Sequence, residues 1–191
     1  RVEGNFAESG EDVVIPLSWI EAANERWLAC DGKGEGAPHY GVDVARYGQD
    51  KTAIARMVGN VLEEIEVHSQ EDTMQTTGRV SAKLQVNTPA AVDVIGIGAG
   101  VVDRLRELGY QNVLGVNVAH STDLTTGDGL IGFVNLRSAL WWLMREALDP
   151  NGPDPLALPP IDELTGDLTT PTYKYTSKGL IQVESKDDIR K

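Results

Sequence analysis

The sequence predicts an α/β fold: a mixed sheet of five strands with flanking helices and an extra β-hairpin near the C-terminal end. Three strand-like segments joined by short turns occupy 39–67. Strands and a helix then alternate from 90 to 118, the pattern of parallel strands joined by right-handed crossovers. A second pair of strand-like segments at 172–184 surrounds Ser177-Lys178-Gly179 and predicts the extra hairpin.

Residues 1–38 are predicted to form a linker segment with one helix, and 39–191 a single domain. The helix is expected from Trp19 to Leu28, with Ser18 as its N-cap and Glu21 at capping-box spacing. Glycines and Pro38 follow and predict a flexible connector.

The first three strands are predicted at 39–45, 52–58 and 61–67. Only Gly59-Asn60 separate the last two, which is the spacing of a tight hairpin. The three strands should therefore form an antiparallel meander.

The remaining elements are predicted from periodicity and from breaks at glycine and proline. The strands are expected at 90–97 and 113–118, and the helices at 72–86, 101–108, 135–148 and 162–168. This element order is that of the ribonuclease H-like fold, with strand order 3-2-1-4-5 and the first and fourth strands side by side.

Each of those two neighbouring strands carries one acid among apolar residues, Asp43 within 39–45 and Asp93 within 90–97. Runs of this kind predict strands buried on both faces, where an unpaired carboxylate is costly. Neighbouring strands lie about 4.8 Å apart, so the two carboxylates could point into one small space. A cation between them would remove their repulsion, and Mg²⁺ or Mn²⁺ suits such oxygen ligands.

Composition sets further bounds. The chain has 191 residues, a net charge of −12 and one cysteine, Cys30, which excludes an intrachain disulfide. The acidic balance argues against a broad basic surface for nucleic acid, but a nuclease site is itself acidic. No apolar run approaches the roughly 20 residues of a membrane span and residues 1–5 lack a signal-peptide pattern, so a cytosolic location is expected.

The chain resembles the C-terminal nuclease domain of phage large terminase subunits, the motors that package viral DNA and cut it. The resemblance covers nearly the whole chain. It is carried by four segments: Gly41-Val42-Asp43 with 48–52, the run 92–103, the ending from Ser177 to Lys186, and the junction-like start at 2–6.

The resemblance implies metal-dependent cutting of double-stranded DNA, with Asp43 and Asp93 as metal-binding catalytic acids and Asp50 as an accessory acid. Two ions of Mg²⁺ or Mn²⁺ are implied. It also implies an ATPase domain in the same full-length protein, a small terminase subunit and a portal as partners, and the host cell cytoplasm as the location.

A third metal-binding acid is implied on a helix after the final hairpin. Asp187 and Asp188 come too early for it, so either the set of acids is incomplete or its last member lies past Lys191. Lys174, Lys178 and Lys186 are the one basic cluster expected near the acids, and we predict that they contact DNA beside the active site.

Other interpretations remain open. Asp50 also fits an ordinary turn residue beside Gly48. The glycine-rich 96–100 resembles a dinucleotide-binding turn, but Val101 replaces the third glycine of that motif. An actin-like or sugar-kinase-like phosphotransferase shares the sheet, and a non-catalytic interaction module of the packaging motor would explain a missing third acid.

Overall fold

The computed structural model describes residues 12–45, 51–69 and 72–185. The chain divides into two compact units: Gly32–Val118, and a second unit that joins Arg1–Asp31 to Ala119–Lys191. The predicted division into a linker at 1–38 and a domain at 39–191 stays a prediction.

The secondary structure follows the predicted order. The helices are α1 Leu17–Ala29, α2 Thr73–Lys83, α3 Gly98–Glu107, α4 Leu136–Leu148 and α5 Asp162–Thr169. The strands are β1 Pro38–Asp43, β2 Lys51–Val58, β3 Val61–Ser69, β4 Ala90–Asp93, β5 Val113–Val116, β6 Tyr173–Tyr175 and β7 Ile181–Val183. Within the described ranges, no helix is long and apolar enough to cross a membrane.

The Gly32–Val118 unit contains the five-stranded sheet, in the order β3-β2-β1-β4-β5. β1, β2 and β3 pair antiparallel, and β1, β4 and β5 pair parallel. Gly59 occupies the β2–β3 turn with φ 56°, a conformation that glycine adopts without steric cost. The predicted strand order and mixed pairing are confirmed.

One face of this sheet forms the core of the unit. Tyr40 and Val42 of β1, and Val44 directly after it, alternate toward that face and are all buried. Helices α2 and α3 cover the face with Val80, Val101 and Leu105, among other apolar residues. The odd-numbered positions of β1 therefore point to the opposite face.

Several element boundaries differ from those predicted, most notably the start of α1 and the end of β4. Ser18 lies inside α1; the N-cap is Pro16, whose carbonyl accepts a 3.0 Å hydrogen bond from the Trp19 amide. Strand β4 ends at Asp93 instead of residue 97. A turn follows in which Gly96 has φ 91°, and a strand cannot continue through that conformation.

The second unit is held together by α1, α4, α5 and the β6–β7 hairpin. Asn135 caps α4 by accepting a 2.9 Å hydrogen bond from the Ser138 amide. Trp142 of α4 packs edge-to-face on Tyr173 of β6, with ring centroids 5.0 Å apart. Ile181 is fully buried beside these groups, so the hairpin is anchored to α4 by one apolar face.

An ion-pair network ties α2 to β3, and its effect on stability should depend on pH. The Lys83 ammonium lies 2.6 Å from one Glu66 carboxylate oxygen, and His68 Nε2 lies 3.1 Å from the other. The hydrogen bond from Lys83, followed by that from His68, lowers the pKa of Glu66. A lowered pKa means that this stabilisation is present above the pKa of the unfolded chain and disappears as pH falls through the folded-state value.

We therefore expect Lys83→Met to lower the free energy of unfolding by about 0.5–1 kcal/mol near pH 7, because the pair is only partly exposed. The difference from wild type should vanish at acidic pH, once Glu66 is protonated in both proteins. Chemical denaturation between pH 3 and 8 measures this. Arg104→Met, which breaks the more exposed Arg104–Glu107 pair, is the matched control and should show a smaller effect.

Candidate metal centre

Asp43 and Asp93 end two neighbouring parallel strands. The register pairs Val42 of β1 with Val92 of β4, and each aspartate is the next residue of its strand. Because adjacent strands lie about 4.8 Å apart, the two Cα atoms stand side by side at the carboxyl edge of the sheet.

Both aspartates follow core-facing valines, so their side chains point to the sheet face opposite α2 and α3. Asp43 is exposed and Asp93 is partly exposed. The expectation of carboxylates in strands buried on both faces was wrong, since β1 and β4 alternate buried and exposed positions. Exposure lets water hydrate both acids, so their charges do not carry the cost of full burial.

The β4–α3 turn fixes the orientation of Asp93. Its Oδ1 accepts a 2.9 Å hydrogen bond from the amide of Ile95, two residues further on. The next amide after the strand, that of Val94, donates to the Val116 carbonyl at 3.0 Å. This hydrogen bond fixes the orientation of the Asp93 carboxylate through Oδ1, and Oδ2 takes no part in it.

Gly98, the first residue of α3, allows the helix to begin directly behind Asp93. A Cβ at Gly98 would overlap the Asp93 carbonyl oxygen and would lie 3.0 Å from the carbonyl carbon and 3.6 Å from Val44 Cγ2. Only glycine fits this close approach of helix and strand. The position of Asp93 therefore depends on Gly98.

Thr52 of β2 secures the chain just after Asp43. Its side chain is only 2% exposed, and its hydroxyl accepts a 3.1 Å hydrogen bond from the Ala45 amide. The residues that continue β1 are thereby attached to the neighbouring strand. Thr52 thus supports the chain beside Asp43, as Gly98 supports the chain at Asp93.

Sequence reasoning missed both supporting residues. The sequence did contain a signal for Thr52. It alternates with Ile54 at the buried positions of β2, and it is a polar residue where an apolar one is expected. Gly98 belongs to a glycine-rich run in which spacing alone does not show which glycine meets another strand.

The donor chemistry of the Asp43–Asp93 pair fits a hard divalent cation, since both side chains offer carboxylate oxygens on one face. Across 12–45, 51–69 and 72–185, no group of three or more acidic, histidine or cysteine side chains could hold a metal ion. Asp50, Lys186 and the acids at 187 and 188 lie outside the described residues.

Lys174 and Lys178 lie in the other unit, on the β6–β7 hairpin, and both are exposed. Lys174 belongs to β6. Lys178 lies in the turn, which is closed by a 2.9 Å hydrogen bond from the Gly179 amide to the Thr176 carbonyl. Their contact with DNA stays a prediction.

No protein-family model matches the sequence, and no curated protein matches it. Among solved structures, the nuclease domain of the large terminase subunit gp2 of bacterial virus Sf6 superimposes with a TM-score of 0.73 at 19% identity, over 93% of this chain and 90% of that one. A mutant of that domain with manganese and beta-thujaplicinol also gives 0.73, at 18% identity and the same coverage. The large terminase nuclease of thermophilic phage G20c with bound magnesium gives 0.56 at 14% identity, over 83% of this chain and 78% of that one.

These likenesses establish the fold. The chain has the ribonuclease H-like fold that its element order predicted, the same fold as those nuclease domains. Because β1, β2 and β3 pair antiparallel, the sheet is not the parallel sheet of a doubly wound dinucleotide-binding fold.

Proposed function

We propose that this protein is a metal-dependent endonuclease that cuts double-stranded DNA during viral genome packaging, as the nuclease domain of a large terminase subunit. The observation that carries the proposal is the placement of Asp43 and Asp93 at adjacent positions on one exposed face of the sheet. The fold shared with terminase nuclease domains supports it.

In this proposal the residues of the chain position the reactants. A bound Mg²⁺ or Mn²⁺ would lower the pKa of an attacking water and stabilise the leaving oxygen, so no protein nucleophile is needed. Asp43 and Asp93 would hold the cation through carboxylate oxygens. The Ile95 amide keeps Asp93 in one orientation, and Thr52 holds the chain after Asp43 in place.

The finer proposal is a two-metal mechanism in which Asp43 would be a ligand of both ions and Asp93 a ligand of one of them. Two ions about 4 Å apart need oxygen ligands beyond this pair. Asp50 is our candidate accessory acid. The manganese and magnesium in the related nuclease structures support the choice of cation.

The wider setting is also proposed by likeness to those domains. Double-stranded DNA would be the substrate, and the chain would act within the host cell. An ATPase domain in the same protein, a small terminase subunit and a portal would be its partners.

Plasmid cleavage tests the proposed function. We expect nicking and linearisation with Mn²⁺ or Mg²⁺ and none with EDTA. Protection from thermal unfolding by ATP without cleavage would instead support the phosphotransferase alternative. Absence of both cleavage and Mn²⁺ binding would support the interaction module.

The hairpin lysines lead to a separate prediction about the affinity for duplex DNA and its dependence on salt. Each phosphate contact by a lysine contributes about 0.9 to the slope of log affinity against log salt, so Lys178→Glu should weaken duplex binding and lower that slope by about one. Fluorescence anisotropy in EDTA from low to moderate salt measures it. Arg79→Glu on α2 is the charge-matched control, since α2 covers the sheet face opposite the acids. A slope unchanged by Lys178→Glu would reject the contact.

A further inference from the structure

A polar pocket lies between the start of α4 and the β6–β7 hairpin, within the second unit. Its volume is about 400 Å³, within the roughly 300–1,000 Å³ range of small-molecule sites. Its side chains are polar or charged with few exceptions, and it includes Asn135, Arg137, Lys174, Gln182 and Glu184. A pocket of this composition suits a charged, hydrogen-bonding ligand.

Arg137 is the partly buried cation of the pocket. Its Nε and Nη2 donate hydrogen bonds of 3.1 and 3.0 Å to the Glu184 carbonyl, and its guanidinium lies 5.8 Å from the Trp141 ring centroid. No carboxylate of the described residues forms an ion pair with Arg137, and Nη1 has no hydrogen-bond acceptor among them. Burial lowers the pKa of this guanidinium, and a facing anion would act against that effect by stabilising the charged form.

The hairpin adds a second cation on the pocket side. Lys174 pairs with Gln182 across the hairpin, so the two side chains share one face, opposite the apolar face that packs on α4. Glu184 is the acid in the pocket, and its Oε2 accepts a 3.1 Å hydrogen bond from the Thr172 amide. The hydrogen bond from Thr172 partly satisfies the negative charge of Glu184. Arg137 and Lys174 are then the groups of the pocket that would attract an anion.

We propose that this pocket binds a backbone phosphate of the DNA duplex, with the Arg137 guanidinium and the Lys174 ammonium as its ligands. The occupant is a phosphodiester because Lys174 lines the pocket and a second exposed lysine, Lys178, lies in the turn of the same hairpin. Several cations on one element are what neutralises successive phosphates of a nucleic-acid backbone. The identity of the ligand rests on the proposed nuclease function; the pocket's preference for an anion does not.

Two substitutions test the proposal by duplex binding in EDTA. Lys174→Ala leaves the Arg137–Glu184 contact intact and should lower the salt slope by about one. Arg137→Lys keeps the charge but loses the planar fork, and should weaken binding at least threefold with a smaller change in slope. Arg79→Ala on α2 is the matched control and should behave like wild type. Thermal unfolding of each variant checks that the hairpin stays folded.

Inorganic phosphate distinguishes the two sources of a phosphate group. If it raises the melting temperature of wild type but not of Arg137→Lys, while duplex binding is equal in both, the occupant is a free anion and the proposal is overturned. Unchanged duplex affinity and salt slope in both variants would also overturn it. Plasmid cleavage separates the two claims: wild type that cuts DNA while the variants bind normally refutes the pocket alone, whereas wild type that neither binds nor cuts refutes the nuclease function.

Discussion

Replacing Asp43 by asparagine is expected to reduce metal-dependent plasmid cleavage by about a thousandfold, and Asp93→Asn should do the same. An amide keeps the shape of the side chain but removes the negative charge that attracts the cation. Metal ions supply several kcal/mol of transition-state stabilisation, and each 1.36 kcal/mol corresponds to about tenfold in rate. Cleavage at fixed Mn²⁺ concentration, followed on gels over time, measures the loss.

The fold should survive both substitutions. Like charges on adjacent strand positions repel, so removing one carboxylate should leave the free energy of unfolding unchanged or slightly higher. Asp103→Asn is the matched control, since Asp103 lies on the exposed face of α3. This variant should cut DNA at the wild-type rate. Cleavage at the wild-type rate by either Asp43→Asn or Asp93→Asn would contradict the assignment of this pair as the catalytic acids.

The second large effect is expected at Gly98. A methyl group there overlaps the carbonyl of Asp93, so strand and helix must separate. Overpacking of this kind costs about 1–3 kcal/mol. A displacement of a catalytic group by about 1 Å costs on the order of 100-fold in rate. Gly98→Ala should therefore lower both the melting temperature and the cleavage rate.

Gly100→Ala separates sterics from helix propensity on the same helix. A Cβ at Gly100 meets nothing within 4 Å, and alanine is favoured over glycine in helices by up to about 1 kcal/mol. Gly100→Ala should stabilise the protein slightly and leave cleavage unchanged. Equal behaviour of the two alanine variants would contradict the role assigned to Gly98.

The sheet was predictable because its topology follows from local signals. Gly59-Asn60 between two apolar runs defines an antiparallel hairpin, and alternation of strand and helix after residue 90 defines parallel pairing. The adjacency of Asp43 and Asp93 follows from that order. Their exposure did not, because apolar neighbours such as Val42 and Val92 lie on one face only, and a short run does not show whether the second face is covered.

The rest depends on contacts between residues far apart in sequence. Val94, Ile95 and Ile97 look like a continuing strand, yet Gly96 and the close packing of Gly98 turn the chain into α3. The Arg137–Glu184 contact joins residues 47 positions apart, and no local pattern marks it. Sequence periodicity therefore predicted the elements, while the supports of the acids and the phosphate pocket required the structure.

Metal binding by the acid pair tests the central claim most directly. Mn²⁺ titration followed by electron paramagnetic resonance should show a weak site in wild type that is lost in the Asp43→Asn, Asp93→Asn double variant and retained in Asp103→Asn. Retention of that site by the double variant, with the same affinity as wild type, would show that Asp43 and Asp93 do not form the metal centre.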